Sequence, residues 1–155
     1  MICAFLGEHK SPFKHLGKLE RFITSLAMNS DIHEFYVGNH TDFEIIILCI
    51  LRGLKKLHGT IQYTVVLTPA DINCAVKNES VIWLEPNLPK GTKTKGYSKD
   101  EKEIIIDRRD DWLAENADLI VYSDYLEDDK EDWIEAYAKE HKKEYMNLAF
   151  DEYFM

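Results

Sequence analysis

The sequence is poor in the residues that interrupt regular structure, with seven glycines and four prolines in 155 residues. Three of those prolines, Pro69, Pro86 and Pro89, fall in one stretch, which leaves most of the chain free to form helices and strands. There is no GxGxxG fingerprint, no Walker loop and no GxSxG elbow. The common glycine-built phosphate cradles and the hydrolase nucleophile turn are therefore excluded. Cysteine is also scarce. Cys3, Cys49 and Cys74 are odd in number, widely spaced and without a CxxC pair, which argues against a disulfide framework and for a reducing, cytoplasmic setting. The six histidines show neither HxH nor HExxH spacing, so no metal site is expected. No apolar run approaches the roughly 18 residues of a membrane span, and Met1–Leu6 is too short for the core of a secretory signal. Cations are outnumbered, 19 Lys and Arg against 28 Asp and Glu, for a net charge of −9. Neither DNA nor an anionic membrane is an expected partner on that balance, although net charge says nothing of a single cleft.

What is present is 45% apolar and 30% charged, a globular composition sized for one domain over residues 1–155. Ile2–Leu6 is a continuous apolar run, as in a strand covered on both faces. After the loop Gly7–Lys10, Ser11 and Pro12 read as an N-cap and a first helical residue. Phe13, Leu16, Leu19, Phe22, Ile23 and Leu26 then recur at helical spacing as far as about Met28. Phe35–Val37 predicts a second strand. Phe43, Ile46, Ile47, Ile50, Leu51, Leu54 and Leu57 predict a buried helix that Gly59 ends. Ile61–Leu67, β-branched and aromatic, predicts a third strand. The stretch 68–98 is irregular, with room for one short strand at Val81–Leu84. A helix resumes near Ser98 and carries Ile105, Arg109, Trp112 and Leu113 on one side. Asp118–Ser123 predicts a fourth strand, 124–132 an acidic loop, Trp133–His141 a last helix and Tyr145–Leu148 a last strand.

Strands alternating with helices imply right-handed βαβ units and a parallel sheet. The expected fold class is α/β, a Rossmann-like three-layer sandwich with strand order 3-2-1-4-5. In that order the chain reverses between strands 1 and 4, whose carboxyl ends open the crevice where such folds bind ligands.

Three loops meet there. Gly7, His9, Lys10 and Ser11 offer a flexible turn, two basic side chains and free N–H groups at a helix start. That set suits an anion, or serves as a plain β–α turn with a serine cap. In the second loop Gly38, Asn39, Thr41 and Asp42 either hydrogen-bond a sugar or base, or cap the next helix with Glu44 near its positive end. The third, Asp124–Asp132, has six acidic side chains in nine and no glycine, so it repels phosphate. Arg108 and Arg109 sit mid-helix among Asp107, Asp110 and Asp111, where an intrahelical ion pair is the usual outcome, but Arg109 falls on the apolar side of its helix. A buried arginine needs a partner, and a ligand phosphate is one candidate.

Three segments carry a family resemblance. They are the opening Cys-Ala-Phe-Leu-Gly-Glu-His-Lys, the run Phe35-Tyr-Val-Gly-Asn-His-Thr-Asp-Phe-Glu44, and Arg109-Asp-Asp-Trp-Leu-Ala-Glu-Asn-Ala-Asp118. Together they resemble the YpsA-like branch of the SLOG superfamily, which groups the DNA-processing protein DprA with the LOG cytokinin-activating enzymes. Gly7, His9 and Lys10 match that branch's first loop with Glu8 inserted. Gly38, Asn39 and Phe43 match its second. Arg109 and Trp112 match its helix motif, with Asp110 in place of asparagine. The resemblance implies a Rossmann-like fold and a nucleotide-derived ligand. The glycine-rich phosphate loop of the LOG enzymes is replaced by the acidic loop, which argues against their phosphohydrolase chemistry.

The leading expectation is a non-catalytic domain that binds or senses a nucleotide-like or nucleoside-derived molecule through Gly7, His9, Lys10, Ser11, Gly38, Asn39, Thr41, Asp42 and Arg109. The sequence requires no cofactor. A second reading is an N-glycosidase acting on nucleoside monophosphates, with Glu131 or Asp42 as the acid and Arg109 on the phosphate. A third is a protein-interaction scaffold, in which the acidic loop or the 68–98 stretch meets a cationic partner or a second copy in a homo-oligomer.

Overall fold

A computed structural model describes residues 1–7, 16–70, 78–85, 97–123 and 132–148. Its strands are Ile2–Leu6 (β1), Glu34–Val37 (β2), Tyr63–Leu67 (β3), Ser80–Trp83 (β4), Leu119–Tyr122 (β5) and Glu144–Asn147 (β6). Its helices are Leu16–Ala27 (α1), Asp42–Leu57 (α2), Lys99–Asn116 (α3) and Trp133–Glu140 (α4). The six strands form one sheet in the order β4-β3-β2-β1-β5-β6, and every pairing is parallel. The α/β fold and central parallel sheet expected from the sequence are therefore present. The short strand in the irregular stretch adds one edge position outside β3, and the reversal falls between β1 and β5. The Ser11–Pro12 helix start lies outside the described residues.

Alternation along the strands divides the core in two. Cys3, Phe5, Phe35, Val37, Val65 and Val121 face one way and pack against Leu19 and Ile23 of α1 and Phe43, Ile47, Leu48 and Leu51 of α2. Ala4, Leu6, Val66, Ile120 and Tyr122 face the other way, against Leu113 and Ala114 of α3 and Ile134 and Ala138 of α4. Burying each of the larger of these side chains contributes about 1.5–3 kcal/mol. Strands β1, β3 and β5 are buried along almost their whole length because helices cover both faces of the sheet. The edge strand β4 leaves Val81 and Trp83 exposed.

Helix ends are closed by local chemistry. Ser98 accepts from the Glu101 N–H, and the Glu101 side chain accepts from the Ser98 N–H, a reciprocal capping box. At the other end of α3, the Lys143 ammonium donates to the carbonyls of Ala114, Glu115 and Ala117 at 2.6–2.8 Å. That places a cation on carbonyls which have no partner within the helix. Tyr122 donates to Asp132, whose other oxygen accepts from the Glu135 N–H at 3.0 Å and caps α4. Among the described residues, no helix is long and apolar enough to cross a membrane.

Candidate ligand-binding site

Because the sheet is parallel, all its carboxyl ends lie on one rim. The order β2-β1-β5 sets three chain exits side by side there: Gly38 and Asn39 after β2, Gly7 after β1, and Ser123 after β5. Gly7 has φ +152°, a conformation that a side chain disfavours. A Cβ on it would lie 2.9 Å from the Ser123 carbonyl oxygen, 3.1 Å from the Ser123 nitrogen and 3.6 Å from the Phe43 ring. The direction of winding reverses at this point: α1, which follows β1, packs on one face of the sheet, and α4, which follows β5, packs on the other.

Two polar side chains are buried at these exits. Asn39 is 4% exposed and Ser123 is 1% exposed. Neither side chain has a hydrogen-bond partner among the described residues. Buried amides and hydroxyls are nearly always paired, and leaving one unpaired costs about 1–3 kcal/mol. The asparagine amide offers two donors and an acceptor, and the serine hydroxyl offers one donor and two lone pairs.

The start of α2 shows the opposite condition, complete internal satisfaction. Thr41 is the N-cap and accepts from the Glu44 N–H at 3.2 Å. Glu44 Oε1 accepts from the N–H groups of His40 at 3.1 Å and Thr41 at 3.3 Å. Arg109 reaches across the rim from α3 and closes a two-pronged pair on the same carboxylate. Its Nη1 donates to Oε1 at 2.8 Å and its Nη2 to Oε2 at 2.6 Å. Nη2 and Nε also donate to Asp110 Oδ1, at 2.9 and 3.3 Å. Arg109 is 1% exposed and Glu44 is 0% exposed. Gly38 makes room for the pair, since a Cβ there would lie 2.5 Å from Arg109 Nη1 and 2.6 Å from Glu44 Oε1. Burial alone would lower the Arg109 pKa, but the charges of Glu44 and Asp110 outweigh it and hold the guanidinium above its ordinary value.

Burial dominates at Asp110 and pushes its carboxyl up from 3.8 to about 7, against the pull of Arg109 and with the help of the Glu44 charge. Between those two values the folded chain binds a proton that the unfolded chain releases. Stability from this group is therefore full at low pH and is lost as pH rises toward 7. Asp110→Asn should gain stability relative to the wild type over that interval, by on the order of 1 kcal/mol per pH unit. Urea midpoints of both proteins at about pH 5 and pH 7.5 measure this, and parallel profiles would contradict it.

The sequence expectations now divide. Gly7, Gly38 and Asn39 lie on one rim, as the fold class required. Thr41 caps α2, the structural alternative left open for it. Asp42 is exposed in the first turn of α2. Arg109 is buried as its spacing indicated, and two carboxylates of the chain itself meet its need for a partner. His9, Lys10, Ser11 and Glu131 lie outside the described residues. The intrahelical ion pair expected of Arg109 among Asp107, Asp110 and Asp111 is present, to Asp110, whereas Ser123 and the Glu44 carboxylate on Arg109 are not announced by the sequence. Thr41-x-x-Glu44 is legible as a capping box, but nothing local announces that Glu44 meets an arginine 65 residues downstream.

Beside Arg109, Thr68, Leu84, Glu85, Ile105, Arg108 and Trp112 line a small cavity of about 140 Å³. Trp112 also packs on Tyr36 with ring centroids 5.6 Å apart. Among the described residues, no group of three or more His, Cys, Asp or Glu side chains is placed to hold a metal ion. Comparison with models of known protein families returns no match, and neither does comparison with the curated proteins.

Proposed function

We propose that this chain is a non-catalytic binding domain for a nucleoside-derived or nucleotide-like small molecule, seated in the crevice at the carboxyl ends of β2, β1 and β5. One observation carries the reading: on the strand ends that flank β1, Asn39 and Ser123 are buried without hydrogen-bond partners among the described residues. A ligand that hydrogen-bonds both removes their cost, and that gain appears as binding energy. The glycine at Gly7 lets the end of β1 pack closely against the Ser123 backbone, which holds the Ser123 exit beside β1. The sequence resemblance points to the same ligand class.

A thermal-shift screen against nucleosides, nucleotides, cyclic nucleotides and ADP-ribose derivatives tests the reading, with Asn39→Ala as its control. The variant loses a buried unpaired amide, so the unliganded protein should be as stable as the wild type or slightly more so. Its affinity for the ligand should fall about tenfold or more, the cost of losing a paired amide contact of about 1–3 kcal/mol. The opposite pattern, a large loss of stability with the ligand response intact, would make Asn39 a structural residue and remove the main support.

A further inference from the structure

The corner between β2 and α2 has the parts of an oxyanion seat. Two successive backbone N–H groups, those of His40 and Thr41, and both arms of the Arg109 guanidinium converge on one point. A phosphate bound where a strand turns into a helix uses donors of this kind. Here the oxyanion is the Glu44 carboxylate, fully buried and held by four hydrogen bonds. Gly38 leaves no space between the pair and the backbone.

We infer that Glu44 is a built-in anion filling this seat, and that the rim site beside it therefore selects an uncharged, phosphate-free ligand of the nucleoside class. The inference rests on the ligand reading of Asn39 and Ser123. Charge supports it independently. The single positive charge of Arg109 faces Glu44 and Asp110, and exposed Asp42 follows the cap. An incoming phosphate meets no uncompensated cation among these groups. Asn39 and Ser123 are neutral donors and acceptors, fitted to a base edge or a sugar hydroxyl.

The test has two arms. In the first, calorimetry on the full chain compares the common ribonucleosides with their 5′-monophosphates. At least one nucleoside should bind about tenfold or more tightly than its own monophosphate. Binding in which no nucleoside outdoes its own monophosphate overturns the inference and leaves the binding reading intact. No binding by any of these compounds overturns the binding reading and, with it, the selectivity.

The second arm tests the seat itself. Glu44→Ala should gain several degrees more in melting temperature than the wild type does when formate, acetate or phosphate replaces chloride at equal ionic strength. No rescue in folded Glu44→Ala overturns the seat. If that variant does not fold in any of these salts, near-isosteric Glu44→Gln decides. Removal of the charge should narrow the preference for nucleoside over monophosphate about tenfold, and an unchanged ratio overturns the inference.

Discussion

Arg109→Met should lower the free energy of unfolding by about 3–5 kcal/mol, because it strands carboxylates that the fold has taken out of water. Glu44 and Asp110 both rely on this guanidinium, and Glu44 is completely buried. Neither can be rehydrated without opening the rim. The urea midpoint should fall while the slope of the transition stays the same, since the surface exposed on unfolding hardly changes. Arg109→Lys should recover only part of the loss, because an ammonium keeps the charge but not the fork that grips both Glu44 oxygens. Combining Arg109→Met with Glu44→Gln should cost less than the sum of the single changes, since the second removes the charge the first leaves unpaired. A loss below about 1 kcal/mol for Arg109→Met would mean that the carboxylates find other partners or water.

Gly7→Ala should cost about 2–4 kcal/mol, with strain in the backbone and crowding both contributing. The added methyl meets the Ser123 backbone at 2.9 and 3.1 Å. Those atoms sit at the end of β5, directly after the register pair Leu6 and Tyr122, and cannot swing aside as a side chain would. The positive φ adds its own penalty. A matched control exists in α2, where a methyl at Gly53 meets nothing within 4 Å. Gly53→Ala should be neutral or stabilise by up to about 1 kcal/mol, as alanine does inside a helix. Chemical denaturation of the two variants side by side separates crevice geometry from glycine content. Equal effects would show that the contact at Ser123 is relieved cheaply.

The parts of the fold that the sequence made legible are those governed by local rules. Ile2–Leu6 reads as a strand because burial on both faces leaves no polar position. Ser98 reads as a helix start because its capping partner sits three residues on. The strand at Ser80–Trp83 was harder to see. It lies on an edge and is partly exposed, and its apolar run, Val81–Leu84, is short and closely followed by Pro86 and Pro89. Helix α3 is mostly charged, and only a narrow stripe through Ile105, Arg109 and Leu113 marks its inner face.

The candidate site was half legible for the same reason. Gly7 and Gly38 stand out as strand-end glycines. That Arg109 is buried follows from its neighbours on the helix. Of its partners, neighbouring Asp110 is legible and Glu44 is not, because Glu44 belongs to a helix on the opposite face of the sheet and meets Arg109 only once the layers close over the rim. Ser123 gives no local signal at all. It is an ordinary residue at a strand end until the strand order sets it beside Gly7.

The most direct measurement is a backbone and side-chain amide NMR titration of the full chain with the nucleoside that gives the largest thermal shift. Perturbations should concentrate at Gly7, Gly38, Asn39 with its side-chain amide, and Ser123, and the same titration of Asn39→Ala should leave them unmoved. Saturable shifts clustered instead on α4 and β6, with the Gly7 and Asn39 signals unchanged, would contradict a ligand site at the carboxyl ends of β2, β1 and β5.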